Sequence, residues 1–332
     1  MRRASARPLA ASTAVLAVAL TGCHVCPNEK DCDRWFKFDH EQPLRAAEFA
    51  VAVGLDGALA IAEDDAEFPY FHYEPRDAGT VADLHGVSAH ASSHASCPYI
   101  VVGDHGTIRI SDDGGDTWRT PKGPAIAAAL RAVEANCPFK TGIAVGDAGT
   151  VMVASGAPET WQARDGGTDR PLRSVALAAK TAVAVGDGGT VVRSGDSGDT
   201  WAPVAVETTA DLLSVALSSS LDGGPAVGMI GAADGTLLAS RDGGESWSWI
   251  GIEFDAPIRQ VEVGEYVGEG EPASLTAFFL AEGGLWTWSE AESRLQRMYW
   301  LDLPVYSFAY APELTLLVDG GALAYKWCMG CD

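Results

Sequence analysis

The chain has 332 residues, 45 acidic side chains against 23 Lys and Arg, and a formal net charge of −22. No run of Lys or Arg interrupts that acidity, which excludes a nucleic-acid binder built on phosphate contacts and sets the body of the chain against anionic lipid headgroups. Hydrophobic residues make up 47% of the chain, enough for a sizeable core.

The N-terminus reads as an export signal. Arg2, Arg3 and Arg7 form a basic start, and the apolar stretch from Pro8 to Leu20 is too short to span a bilayer stably. It ends in Leu20-Thr21-Gly22-Cys23, which resembles the lipobox of bacterial lipoproteins. The resemblance implies cleavage after residue 22, lipidation of Cys23, and a protein held at the periplasmic face or the cell surface by its acyl chains. Residues 1–22 are then signal, residues 23–33 a cysteine-containing linker, and residues 34–332 the folded body. Cleavage removes three arginines and leaves the body more acidic still.

From there the sequence repeats. Gly57, Gly106, Gly149, Gly189, Gly235, Gly284 and Gly321 recur at spacings of 37–49 residues, each near the end of a short apolar run. Repeats of this length, made of short apolar runs and turn residues, predict a radial array of four-stranded antiparallel sheets. The expected fold is therefore all-β, a seven-bladed β-propeller. The clearest units begin Leu130-Arg131-Ala132-Val133 and Leu172-Arg173-Ser174-Val175, and the fourth unit continues into Val185-Gly186-Asp187-Gly188-Gly189-Thr190.

Three units add a second hairpin with a fixed pattern: Ser111, Asp113, Gly115 and Trp118; Ser194, Asp196, Gly198 and Trp201; Ser240, Asp242, Gly244 and Trp247. In this S-x-D-x-G-x-T/S-W box a short Asp or Ser side chain can accept hydrogen bonds from its own turn, Gly can take a left-handed conformation, and Trp offers a large apolar surface between sheets. The aspartates read as turn formers rather than as catalytic acids or calcium ligands. In the third unit Gly156 stands where the Asp would be, though Glu159-Thr160-Trp161 keeps the end of the box, and the last two units lack it.

The seventh unit ends at about the third strand, near Trp327. Arg34-Trp35-Phe36-Lys37-Phe38 resembles the missing outer strand, so the N-terminal segment is expected to complete the last blade and close the ring. Six cysteines follow Cys23, an even number suited to an oxidising compartment. Closure would bring Cys26 and Cys32 toward Cys328 and Cys331, with the pairing among them open. Cys97 and Cys137 precede the second strand of adjacent units and form a plausible third bond. Cys328-Met-Gly-Cys331 has the spacing of half a zinc site, but no second half accompanies it.

The start of each inner strand carries Arg45, His85, Arg131, Arg173, Leu213, Arg259 and Tyr306, and the turns expected on the same face carry Asp104, Asp147, Asp187, Glu282 and Asp319. A basic inner ring within an acidic outer ring suits an anionic or zwitterionic group, since guanidinium forks match carboxylates; the rival is that each Arg pairs with a turn carboxylate and holds the blades in register. His85, His90 and His94 straddle a strand and a loop and read as solvated residues, so no metal and no cofactor is assigned.

Together the Leu-Arg-x-Val starts, the Val-Gly-Asp-x-Gly-Thr turns and the Trp-ended boxes resemble BNR-repeat propellers and the photosystem II assembly and stability factors. The resemblance covers nearly all of residues 23–332 and is strongest from Leu84 to Trp247. It implies a non-catalytic assembly or scaffold role, with Arg45, Arg131, Arg173 and Arg259 as the positions of an arginine patch that holds a protein partner. The acidic body, lipobox and six cysteines depart from those factors and point to a cell-surface variant. The expectation is a monomer that binds a protein or glycan at the channel face. A sialidase-like glycoside hydrolase is the runner-up; its Arg-Ile-Pro motif is absent and such enzymes have six blades. A purely structural envelope protein is the third reading.

Overall fold

In the computed structural model, residues 36–326 are described apart from 40–43, 49–50, 65–70, 90–96, 221–222, 267–273, 282–283, 291–293, 301–304, 311–312 and 319–320; some strand residues are described by backbone alone. The lipobox, Trp35, His90, His94, Cys26, Cys32, Cys328, Cys331, Glu282 and Asp319 lie outside the described residues.

Among the described residues every regular element is a short strand or a three-residue 3-10 turn. The strands form antiparallel sheets that follow one another along the chain. The first holds Leu44–Glu48, Val51–Gly54, Leu59–Asp64 and Phe71–Pro75; the second holds Leu84–Ser88, Tyr99–Gly103 and Thr107–Ser111. The third holds Leu130–Ala135, Thr141–Gly146, Thr150–Ser155 and Gln162–Asp165; the fourth, Leu172–Ala178, Thr181–Gly186, Thr190–Ser194 and Ala202–Pro203. The fifth holds Leu212–Ser218, Val227–Ala232, Thr236–Ser240 and Ser248–Glu253; the sixth, Gln260–Tyr266, Ser274–Ala281, Gly284–Ser289 and Arg294–Trp300. The seventh joins Val305–Tyr310, Glu313–Val318 and Gly321–Lys326 to the N-terminal strand Phe36–Asp39, which runs antiparallel to Gly321–Lys326 with Phe36 opposite Ala324.

Among the described side chains, the first six sheets carry apolar residues that they bury against their neighbours. Ile110, Met152 and Trp161 belong to one inter-sheet cluster, Val145, Val153 and Leu172 to the next, and Met229, Phe254 and Phe279 to a third. Short strands of Val, Ile and Ala suit this sandwiching, because β-branched residues pack well on a pleated surface.

The Val-Gly-Asp turns explain two of the recurring glycines. In Asp147–Gly149 the second and third residues both have positive φ, 56° at Ala148 and 66° at Gly149. The second position also accepts Asp56 and His105, yet the third is Gly in every such turn, because a Cβ at Gly149 would lie 1.9 Å from the Thr168 carbonyl oxygen. The glycine ahead of the Asp is needed for proximity alone: a Cβ at Gly146 would meet the Ala129 carbonyl oxygen at 2.0 Å, and that carbonyl accepts the Asp147 N–H at 2.9 Å. Gly284 and Gly321 break the expected series. They open their strands, paired directly with Ala281 and Val318, whereas in the fourth sheet it is Thr190, the residue after the recurring Gly189, that pairs back with Gly186.

The second sheet also departs from four strands. After the bridge between Ile110 and Arg119 its chain crosses to the third sheet, where the Lys122 N–H donates to the Glu159 carbonyl at 2.7 Å and the Lys122 carbonyl accepts from Trp161 at 2.8 Å. Pro121 and Pro124, which flank that crossing, have no N–H to donate to a ladder. Cys97 and Cys137 form a disulfide between these same two sheets, with Cα atoms 5.2 Å apart.

The three boxes share one hydrogen-bond pattern around their Ser and Asp. The Ser111 hydroxyl donates to Asp113 Oδ1 at 2.7 Å and accepts the Gly115 N–H at 2.8 Å, Asp113 Oδ1 accepts the Thr117 N–H at 2.9 Å, and the Trp118 indole donates to the Gly115 carbonyl at 3.0 Å. Ser194, Asp196 and Trp201 repeat all of it, whereas Ser240 and Asp242 repeat only the Ser and Asp bonds and the buried Trp247 indole N–H has no partner among the described residues. Trp161 keeps the indole bond to a turn carbonyl, Pro158 at 3.1 Å, without the Asp. The bonds from Thr117 and Thr200 hold the Asp113 and Asp196 carboxyls down at about 2. A depressed carboxyl stabilises the fold fully above its unfolded value near 3.8, and that contribution is lost as pH falls through about 2. The Asp113→Asn/Asp196→Asn variant is therefore expected to unfold at lower urea than the parent at pH 7, with the gap narrowing between pH 4 and pH 2; a gap that does not change with pH would contradict it.

Candidate functional site

The Val-Gly-Asp turn folds back on the start of its own inner strand. The Asp104, Asp147 and Asp187 N–H groups donate to the Asp83, Ala129 and Pro171 carbonyls, one residue before Leu84, Leu130 and Leu172. Each turn carboxylate is thereby brought beside the residue after that leucine, which is His85, Arg131 or Arg173. The Leu-Arg and Val-Gly-Asp signatures are two halves of one local structure.

The side chains complete the pairing. Arg131 forks onto Asp147, Nε to Oδ1 at 2.9 Å and Nη2 to Oδ2 at 2.7 Å. Arg173 Nε donates to Asp187 Oδ1, and Arg173 Nη2 lies 3.7 Å from Asp211 Oδ2. His85 Nε2 sits 2.7 Å from Asp104 Oδ1 and 3.4 Å from Arg131 Nη1, which links the second sheet to the third. The Arg131 fork holds the Asp147 carboxyl below the ordinary carboxylate range, and Asp147 in turn raises the Arg131 guanidinium. Arg259 is exposed and makes no side-chain ion pair among the described residues.

His85, Arg131, Asp147, Pro171, Arg173, Asp187, Leu213 and Arg259 line one open cavity of about 560 Å³. It gathers residues from five consecutive units. Of the positions read from sequence, Asp104 borders it through His85. The side chains of Arg45 and Tyr306 lie outside the description, as do Glu282 and Asp319.

Sequence reasoning missed Asp83 and Asp211. Asp83 precedes the second inner strand and accepts the Asp56 N–H at 2.8 Å; Asp211 precedes the fifth and accepts the Gly188 N–H at 2.9 Å. Each ties the turn of one sheet to the inner strand of the next, and the signal was the Asp directly before Leu84 and Leu212. Also missed were Glu134 and Glu262 on the third and sixth inner strands. Desolvation pushes their carboxyls up, to about 8 and about 7, and at Glu134 the charge of Glu262 adds to the rise. No group of three or more His, Cys, Asp or Glu among the described residues is arranged to hold a metal ion.

Antiparallel sheets stacked face to face along the chain, with a polar cavity at the ends of their inner strands, define a β-propeller. No family model and no curated protein matches the chain. Solved structures do. YCF48 bound to D1 peptide aligns with a TM-score of 0.61 at 16% identity, covering 93% of this chain and 100% of that one. YCF48 from Cyanidioschyzon merolae gives the same TM-score and identity over 88% of this chain and 98% of that one. At that identity the likeness shows the propeller fold.

Proposed function

We propose that this chain is a non-catalytic, lipid-anchored cell-envelope protein, a seven-bladed ring whose channel face binds a segment of a protein partner. The observation that carries the reading is the cavity of about 560 Å³ in which Arg131, Arg173 and Arg259 alternate with Asp147 and Asp187. Such a surface offers donors and acceptors side by side, suited to a peptide backbone and a charged side chain together. The YCF48 structure with a D1 peptide supports a peptide as the occupant of a propeller of this kind. Ring closure is supported by the strand Phe36–Asp39 on Gly321–Lys326 and by the inner strand Leu44–Glu48 lying beside Val305–Tyr310. Lipidation rests on the lipobox at Cys23.

The glycosidase reading loses support from the same geometry. Arg131 forks onto Asp147 and Arg173 Nε bonds Asp187, which leaves no cluster of three free arginines for a substrate carboxylate among the described residues.

Charge reversal tests the proposal. The Arg131→Glu/Arg173→Glu/Arg259→Glu variant is expected to fold and to lose its partner when the intact lipoprotein is captured from its native envelope. Losing charge-assisted contacts at a buried interface costs about 2–5 kcal/mol, which is more than tenfold in affinity. Undiminished capture by a folded variant would leave the structural reading in its place, and loss of glycan turnover would favour the enzyme.

A further inference from the structure

A second cleft, of about 460 Å³, opens between the fifth and sixth sheets. Its lining includes Trp249, Ser248 and Asp242 from the fifth sheet and its box, and Trp288 and Glu290 from the sixth. It shares no residue with the arginine cavity.

Three features define what fits there. The first is a fixed aromatic surface: Trp249 is 57% exposed, and its indole N–H donates to the Ile252 carbonyl at 3.0 Å, which anchors the ring where it stands. Its apolar face is therefore open to a ligand that can stack on it. The second is the polar surround. Asp242 is held by Ser240 and Ser246, and Arg241 from the fifth sheet pairs with Glu290 from the sixth, closing the cleft across the sheet boundary. Oxygen-rich side chains thus stand beside an apolar ring. The third is the strand edge. Ser248–Glu253 is the outer strand of its sheet, but Gly251 at φ +80° breaks its pleat and the indole takes the Ile252 carbonyl. An added peptide strand would find that edge irregular and partly engaged.

A pyranose ring has the complementary shape, with C–H groups on its face for the indole and hydroxyls on its rim for the carboxylates. Charge narrows the class. Arg241 is neutralised by Glu290, Asp242 keeps its carboxyl below the ordinary range, and the chain carries −22 overall, so an acidic sugar is repelled. We infer that the Trp249–Trp288 cleft is a binding site for a neutral oligosaccharide, separate from the protein-binding cavity.

The test uses the full folded chain with chitotetraose and maltotetraose as neutral probes and sialyllactose as the anionic control. Titration calorimetry and saturation-transfer NMR are expected to show saturable binding of at least one neutral probe through its ring C–H protons. Trp249→Ala should weaken that binding at least tenfold. Ser248→Arg, which fills the cleft from an exposed position, should do the same, while Arg131→Glu should leave it unchanged. The inference is overturned if neither neutral probe saturates up to about 10 mM, if sialyllactose binds as well as the neutral probes, or if Trp249→Ala binds as the parent does. Arg131 lies outside this cleft, so the protein-binding proposal stands or falls separately.

Discussion

Replacing Gly149 by Ala is expected to destabilise the protein by more than about 3 kcal/mol, among the largest effects available to one added methyl group. The backbone conformation is the smaller part. At φ 66° an L residue pays about 1–2 kcal/mol, and Ala148 next to it already tolerates φ 56°. The larger part is collision, because the new Cβ would stand 1.9 Å from the Thr168 carbonyl oxygen, a backbone atom with no rotamer to escape into. Relief requires moving the turn, which carries Asp147 and therefore the fork of Arg131. Urea unfolding would read the loss, and Ala148→Gly is the internal control, expected to be neutral or slightly stabilising. If Gly149→Ala falls within about 0.5 kcal/mol of the parent, the close approach is not what fixes glycine at that place.

The same atoms show why part of the molecule was legible in the sequence. Where a backbone carbonyl comes within about 2 Å of a would-be Cβ, only glycine serves, so Gly57, Gly149 and Gly189 mark their turns without ambiguity. The boxes were legible for a similar reason: Ser, Asp and Gly each fill a distinct hydrogen-bonding role within eight residues, and the Trp packs into a core cluster in all three. Arg131 and Asp147 were legible as neighbours because the turn and the inner strand are local to one unit. What crosses between units was not. Asp83 and Asp211 act on turns of the preceding sheet, and nothing in their own unit requires them. The departure of Pro121-Lys122 to the third sheet depends on a partner edge some forty residues on. Gly284 and Gly321 kept the spacing of the series while taking a different place in the ladder, so the pattern continued in letters after its geometry had changed.

Removing the Cys97–Cys137 disulfide is the second large effect expected. The two residues are 40 apart, and closing a loop of that length lowers the entropy of the unfolded chain by about 4 kcal/mol at 25 °C in the chain-entropy treatment, with 2–5 kcal/mol usual for a native bond. The Cys97→Ala/Cys137→Ala variant should therefore unfold at markedly lower urea, and a reductant should bring the parent to the same midpoint. A midpoint unmoved by both would remove the bond from any structural role. The bond is one of several ties across the same boundary, each chemically different. The Ala135 N–H donates to the Ser88 hydroxyl at 3.1 Å, Arg131 reaches His85, and Lys122 pairs with Glu159 and Trp161 through its backbone. Those ties persist in the folded variant, so its inter-sheet packing should survive at low urea, and the loss should appear as a shifted midpoint with an unaltered native near-ultraviolet spectrum. Only the covalent tie also acts on the unfolded chain. A protein stabilised this way gains the contribution only where its thiols are oxidised.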